Sequence, residues 1–340
     1  MKRNTTERTK SILVLPRWYP NKLDIQLGIF IKRQLVLMQN DFNFYVVYAQ
    51  AVDGLETDFQ IESNTSNENI TEHIVYFKNG SGLFKKLTNF RNYKKAQRLG
   101  LDKIKDTMDI CHIHVPYRSA IPALRLKKKR DTPFLITEHW SGHLNGLFEK
   151  KNFVDKFLYR RTLQKADKIS TVSEALQRAF RMNTGYNSLV IPNYIERDEQ
   201  WEKTANNEYI NILSVSDFDD RTKNITGILK AFKLASELDH RLKLTLIGGG
   251  PDEVEITEVV STLEIPQTQI VLLGRQSHEN VLKAMNQCDF YICNSRFETF
   301  GMTVAEALIC GKPVISTRCG GPEEFLHKNN SILIEPDRKF

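Results

Sequence analysis

Short apolar runs alternate with stretches of helical periodicity along almost the whole chain, and the alternation begins twice. The first series has strand-like runs at residues 11–16, 44–49, 110–115, 134–137, 168–172 and 190–192. Helical stretches at 28–39 and 153–166, and a helix from Glu174 capped by Ser173, lie among them. In the first helix Ile29, Phe30, Leu35 and Met38 take core spacing. Residues 193–208 are polar and aperiodic and read as a linker, after which the pattern restarts. Strand-like runs at 211–215, 242–247, 270–273, 289–293 and 313–316 then alternate with helical stretches at 227–238, 253–262 and 281–286. Strands separated by helices pair in parallel, with helices covering both faces of the sheet. The chain is therefore predicted to be α/β, with two Rossmann-like domains facing a central cleft. Residues 56–82, rich in Asn and Ser, read as a variable surface excursion.

The charge is unevenly spread over the 340 residues. Lys and Arg outnumber Asp and Glu by 32 to 18 up to residue 195, and are outnumbered 16 to 23 after it, giving +7 overall. A basic first half suits nucleic acid, an anionic membrane or an acidic acceptor. Two basic patches stand out. Residues 83–98 interleave Lys85, Lys86, Arg91, Lys94, Lys95 and Arg98 with Leu83, Phe84, Leu87, Phe90 and Tyr93 at helical spacing. The other patch runs from Arg125 through Lys127 to Arg130. A basic amphipathic helix suits a membrane surface, and the alternative is a core-facing helix with a solvated basic side. No nucleic-acid reading motif accompanies the charge, so nucleic acid is not an expected partner. The five cysteines lie mostly in apolar surroundings without a Cys-x-x-Cys pair, which predicts reduced buried thiols and a cytoplasmic protein. The apolar run 12–15 is too short for a signal peptide or membrane span.

The chemistry concentrates between residues 289 and 316. A strand leads into a loop carrying Glu298, then Gly301, then a helix carrying Glu306, then another strand after Gly311-Lys312-Pro313. Open α/β sheets bind ligands outside the carboxyl ends of their strands, where this loop lies. Gly301 allows a tight turn. The N–H groups of Phe300, Gly301, Met302 and Thr303 then face an anion such as a phosphate at the helix start. Helical side chains lean toward the N-terminus, so Glu306 points back at the same mouth and suits a ribose diol. Each such charged hydrogen bond is worth about 1.5–3 kcal/mol. Glu298, on the far side of the phosphate position, suits the hydroxyls of a second group. Phosphate between two polyol grips describes a sugar nucleotide.

Glu298 and Glu306, with seven residues between them, resemble the Glu-x7-Glu motif of retaining glycosyltransferases of family 4, which have the GT-B fold of two Rossmann-like domains. Thr317-Arg318-Cys319-Gly320-Gly321-Pro322-Glu323-Glu324 is similar to the family's Gly-Gly-x-x-Glu turn. The resemblance implies an acceptor-side domain at 1–195 and a nucleotide-sugar domain at 196–340. It also implies helices beyond 332–334 that this sequence, ending at Phe340, does not contain, so an incomplete C-terminal end is expected.

His139 follows an apolar strand in Thr137-Glu138-His139-Trp140 and resembles the family histidine that contacts the donor sugar. His139 and His143 also raise the question of a metal, but their order is not that of a zinc protease and no third ligand is evident. His112 and His114 read as strand-end residues. Gly28, after Trp18-Tyr19-Pro20, resembles the family's first glycine loop near donor phosphates or acceptor. Lys223 matches the lysine of a family basic pair that neutralises the leaving diphosphate, whereas the arginine position holds Asp217. A cation about 4 Å from a phosphate charge is worth ~4 kcal/mol at an effective dielectric of 20, so this departure matters. Arg221 is a candidate replacement. Asp217-Phe218-Asp219 spells an Asp-x-Asp metal motif but reads as accidental. Gly274-Arg275 resembles the family loop that meets the nucleotide base, and Arg275 is a substrate-binding candidate.

The resulting expectation is a retaining glycosyltransferase, independent of metal and other cofactors. It would move a sugar from a UDP- or GDP-sugar to a glycan or lipid-linked glycan acceptor, in polysaccharide or lipopolysaccharide assembly at the inner face of the cytoplasmic membrane. His139, Glu298 and Lys223 are its catalytic candidates. Alternatives are another GT-B enzyme, an epimerase or a phosphorylase with a cofactor lysine, and a non-catalytic sugar-nucleotide or membrane-binding module.

Overall fold

The computed structural model describes residues 9–196 and 208–336. Most of the expected linker, at 197–207, lies outside the described residues. The chain forms two compact units. The first holds 9–140, 147–172 and 177–191, and the second holds 192–196 and 208–336 together with 141–146 and 173–176.

The first unit contains β1 (Lys10–Pro16), α1 (Ile29–Met38), β2 (Phe42–Val52), β3 (Phe59–Asn67), β4 (Ile70–Lys78) and α2 (Lys85–Leu101). β5 (Ile110–His114), α3 (Ile121–Arg130), β6 (Phe134–Glu138), α4 (Phe153–Lys165), β7 (Lys168–Thr171), α5 (Glu174–Thr184) and β8 (Leu189–Val190) follow. Its strands lie in the order β3-β4-β2-β1-β5-β6-β7-β8, all parallel except β3 against β4. β1 is central, and Leu13, Val14 and Leu15 are fully buried in succession, as a strand covered on both faces requires. α4 begins where Asn152 Oδ1 accepts the Asp155 N–H at 2.8 Å. The expected cap of α5 also forms, with the Leu176 N–H donating to Ser173 Oγ at 3.1 Å.

Residues 56–82 are not a surface excursion. They form β3 and β4, and β4 pairs in parallel with β2 over nine residues. The polar composition misleads because β3 is an edge strand that leaves Ser63, Asn64 and Thr65 exposed, while the two polar groups β4 buries are satisfied inside. Buried Glu72 accepts from Tyr19 Oη at 2.6 Å and pairs with Lys32 Nζ at 2.9 Å. Buried His73 hydrogen bonds Ser63 Oγ at 2.9 Å. A buried carboxylate with two such partners no longer argues against a strand.

The second unit contains β9 (Ile210–Val215), α6 (Asp220–Lys223), α7 (Ile225–Leu238), β10 (Leu242–Ile247), α8 (Glu253–Thr262) and β11 (Ile270–Leu272). α9 (His278–Gln287), β12 (Phe290–Cys293), α10 (Met302–Ile309), β13 (Val314–Thr317) and β14 (Ser331–Ile334) complete it. α7 buries Ile225, Ile228, Leu229, Phe232 and Ser236, the spacing of one helical face. The strands are all parallel, in the order β11-β10-β9-β12-β13-β14. Counted from β9 this is the Rossmann order 3-2-1-4-5-6. Its direction reverses between β9 and β12, so a ligand crevice is expected at their carboxyl ends. Of the five cysteines, none of which forms a disulfide, Cys111, Cys288, Cys293 and Cys319 are buried and Cys310 is half-buried.

Candidate functional site

The loops after β9 and β12 meet at the switch point of the second sheet. Lys223, at the end of α6, reaches Glu298 on the β12–α10 loop, with Nζ 2.5 Å from Oε1. The two side chains are only 20% and 17% exposed. Ser295 Oγ donates to the same carboxylate oxygen at 2.7 Å. Burial disfavours the Lys223 ammonium, but the Glu298 charge and hydrogen bond outweigh it and raise the lysine above its ordinary range.

Glu298 is also fixed through its backbone. Its N–H donates to Cys319 O at 2.7 Å, and its carbonyl accepts from the Gly321 N–H at 2.9 Å. A side chain at Gly320 would lie 2.8 Å from Glu298 O, and one at Gly321 would lie 2.4 Å from Thr299 O. The Gly-Gly turn is therefore a close backbone clasp on the Glu298 loop. Gly301 has φ of 83°, and a Cβ there would meet Pro322 Cγ at 2.6 Å. α10 starts directly after it. The N–H groups of this first turn have no intrahelical acceptors by helix geometry, so Met302 and Thr303 offer donors to an anion. The Thr303 hydroxyl is already used, at 2.8 Å from Tyr291 Oη. Phe300 is buried, its ring 5.5 Å from that of Phe325.

Glu306 is buried on α10, with Oε1 2.9 Å from Nε2 of His278 at the start of α9. Arg296 holds the assembly together. Its guanidinium donates to Asp220 O at 2.6 Å and to Asn224 Oδ1 at 2.8 Å, while its own N–H donates to Thr222 O at 2.8 Å. It thereby fastens α6, and with it Lys223, to the Glu298 loop. Neither Arg296 nor His278 carries a sequence signal that would single it out.

Asp217 has a partner of its own. Arg275, on the β11–α9 loop, reaches Asp217 Oδ1 at 3.3 Å and lies across Gly249, where a Cβ would meet its Cγ at 3.1 Å. Asp217 also acts on Lys223, helping to raise it. Arg221 is exposed on α6. Asp219 accepts from Thr222 Oγ1 at 2.8 Å and Phe218 is buried, so two positions of the Asp-x-Asp run have folding roles. Among the described residues no group of three or more His, Cys, Asp or Glu is arranged to hold a metal ion.

In the first unit the carboxyl ends of β5 and β6 bring three histidines together. His114 Nδ1 lies 3.1 Å from His139 Nε2, and their rings stack at 19° with centroids 5.3 Å apart. His112 and His114 rings are 4.1 Å apart, and His112 Nε2 is 2.8 Å from Thr137 Oγ1. Buried Glu138 accepts the N–H groups of His139 and Trp140 at 2.9 and 2.7 Å and takes the Tyr159 hydroxyl. Burial pushes the imidazoles down, His112 to about 4, His139 to about 3 and His114 well below its ordinary value. All three are therefore neutral near pH 7. The outer nitrogens, His114 Nε2 and His139 Nδ1, are buried without a hydrogen-bond partner. Gly28 has a folding reason of its own. It caps α1 with φ of 65°, and a Cβ there would lie 2.4 Å from Trp18 O.

Residues 37–199 match the family described as Glycosyltransferase Family 4, and residues 196–339 match Glycosyl transferases group 1. Glycosyltransferase MJ1178 of Methanocaldococcus jannaschii is 28% identical over 242 residues, covering 71% of this chain and 65% of that protein. N-acetyl-alpha-D-glucosaminyl L-malate synthase of Bacillus anthracis is 28% identical over 68% of this chain and 62% of that protein. The matches thus span a little under two thirds of these relatives. Among solved structures, sucrose-phosphate synthase from Thermosynechococcus elongatus superposes with a TM-score of 0.72 at 16% identity, covering 97% of this chain and 86% of that one. Anabaena HepE in complex with UDP and glucose gives 0.67 at 16% identity, with the same coverages. At that identity the structural likeness speaks for the fold, and the two family matches, running end to end, carry the relationship. The chain belongs to glycosyltransferase family 4, with the GT-B fold.

Proposed function

We propose that this glycosyltransferase moves a sugar from a UDP- or GDP-sugar to a glycan or lipid-linked glycan acceptor with retention of configuration and without a metal ion. The reading rests on one observation: Lys223, Glu298, Glu306 and the first turn of α10 gather at the switch point of a Rossmann-ordered sheet. Glu306 takes the ribose hydroxyls, giving up His278 or sharing with it. Lys223 and the N–H groups of Phe300 to Thr303 hold the diphosphate and stabilise the negative charge that grows on it. Glu298 takes hydroxyls of the transferred sugar. Arg275, steered by Asp217, adds a second cation beside Lys223, a role the sequence suggested for Arg221. His139, neutral and with a free ring nitrogen, contacts the sugar, and the loop at Gly28 approaches donor or acceptor. The resemblance implies front-face substitution. The bond from the anomeric carbon to the phosphate oxygen breaks, the acceptor oxygen bonds to that carbon on the same face, and the acceptor proton passes to the departing phosphate.

Among the similar proteins, the HepE complex with UDP and glucose supports a UDP-sugar donor, and the name of the N-acetylglucosaminyl malate synthase supports transfer of a sugar. The basic first unit supports work at an anionic membrane face, and polysaccharide or lipopolysaccharide assembly there is what the family resemblance implies. Among the described residues no helix is long and apolar enough to cross a membrane. Thermal stabilisation by UDP, GDP and their sugars tests the donor. Glu306→Ala is expected to lose most of the nucleotide-induced shift, and an undiminished shift in that variant would refute the ribose assignment.

A further inference from the structure

A cavity of about 780 Å³ opens in the first unit among α2, α3, α4 and the segment before α3. This is the size of a small-molecule site. Its wall carries Arg118, Lys127, Lys128, Arg161 and Lys165 against a single acid, Asp155. Lys127 is neutralised by Asp167 at 2.9 Å and Asp131 at 3.3 Å. Arg118 lies over the rings of Phe90 and Tyr117, at 5.3 and 5.6 Å from their centroids. Lys128, Arg161 and Lys165 have no carboxylate partner among the described residues. Four positive charges around an aromatic-walled hollow attract an anion and leave it little choice of sign.

Two exposed apolar stripes run into this cavity. On α2 and its lead-in, Leu83, Phe84 and Leu87 are 101%, 73% and 56% exposed, and the same face continues to Phe90 in the wall. On α4, Phe153, Val154, Phe157 and Leu158 are 50–81% exposed, and Leu158 also lines the wall. Phe153, Phe157 and Arg161 follow at intervals of four, as do Val154, Leu158 and Thr162, so one face of α4 passes from apolar to cationic along its length. Exposed large side chains grouped in this way mark a contact surface. Apolar residues at one end and cations at the other match an interface with hydrocarbon below and phosphate above.

We propose that this cavity receives the phosphate headgroup of an anionic phospholipid while the starts of α2 and α4 lie in the bilayer interface. The inference rests on the membrane reading above and gives it an address. The N-terminal turns of the two helices dip among the acyl chains, and Arg118, Lys128, Arg161 and Lys165 close on the phosphate.

Flotation of the full chain with vesicles tests this. Wild type is expected to bind phosphatidylcholine vesicles containing phosphatidylglycerol, not phosphatidylcholine alone, and to be released by salt. Arg161→Gln with Lys165→Gln should weaken binding about thirtyfold, since each cation near a membrane surface contributes about fivefold. Phe153→Ser with Phe157→Ser should also lose binding. The control Arg125→Gln with Lys129→Gln removes the same charge from exposed positions outside the cavity and should lose clearly less. Equal loss in the control would overturn the cavity and leave the membrane reading standing. No binding by wild type to either vesicle would overturn both. Release by millimolar inorganic phosphate would show that the cavity takes free phosphate and overturn the lipid assignment. Unchanged melting of the variants, all at exposed positions, excludes misfolding as the cause.

Discussion

Cutting the Lys223–Glu298 pair should destabilise the second unit, and cutting it twice should do less harm than cutting it once on each side would suggest. At 2.5 Å and an exposure of 20% or less on either side, the pair is largely screened from water. Its gross attraction is on the order of 7 kcal/mol at an effective dielectric of 20. Removing one partner leaves the other buried and unpaired, which costs about 3–5 kcal/mol. The partial exposure favours the lower end, so Glu298→Gln and Lys223→Met should each lose roughly 3 kcal/mol, or about 6–12 °C in the midpoint of a domain this size. The double variant leaves no orphaned charge and should lose no more than either single one. Scanning calorimetry of the full chain, wild type and three variants, reads the cycle. Single shifts near 1 °C that simply add would refute the reasoning, because they would mean a solvent-screened pair worth less than 1 kcal/mol. Nucleotide then separates the two roles. Glu298→Gln frees Lys223 and should keep the stabilisation by UDP or GDP, whereas Lys223→Met should lose it. The sign with pH is fixed as well. Lys223 is raised, so the pair's contribution is whole below the unfolded lysine value of about 10.4 and is lost only as pH climbs through the higher folded value.

The buried histidines of the first unit make it acid-labile. His112 and His139 are lowered to about 4 and about 3, so between pH 6.5 and 4 the unfolded chain binds protons that the folded one refuses. Stability should fall by on the order of 1.4 kcal/mol per pH unit for each histidine, and a urea midpoint flat across that range would contradict the burial. In the second unit, Arg275→Ala should weaken UDP or GDP affinity about tenfold and Arg221→Ala should leave it unchanged in titration calorimetry. The reverse order would return the second cation to Arg221.

The two glutamates and their helix were legible in the sequence because strand, loop, turn glycine and helix are contiguous there. The same holds for the parallel strands, which announce themselves as local apolar runs. What stayed hidden depends on strand order. Lys223 meets Glu298, and Asp217 meets Arg275, only because β9 lies between β10 and β12. Asp217 looked like a lost cation in the sequence, while in the fold it holds a cation delivered from another loop. His278 and Arg296 are ordinary polar residues until the fold sets them against Glu306 and Asn224. β4 was misread for a related reason. Its Glu72 and His73 look solvent-bound, and their partners Tyr19, Lys32 and Ser63 come from elsewhere in the chain.

The clasp of Gly320 and Gly321 on the Glu298 loop gives the proposed donor site a birth date. Lys223 is made early in the second unit and Glu298 some 75 residues later, yet Glu298 is not fixed until the turn at 320 closes on its backbone. During synthesis the strands through β12 can pair without a finished pocket, because contacts of long sequence separation form last. A nascent chain halted before that turn should be folded over most of its length and blind to nucleotide. One released a few tens of residues later, with the turn clear of the ribosome, should bind it, so nucleotide binding itself becomes a clock for the last step of folding.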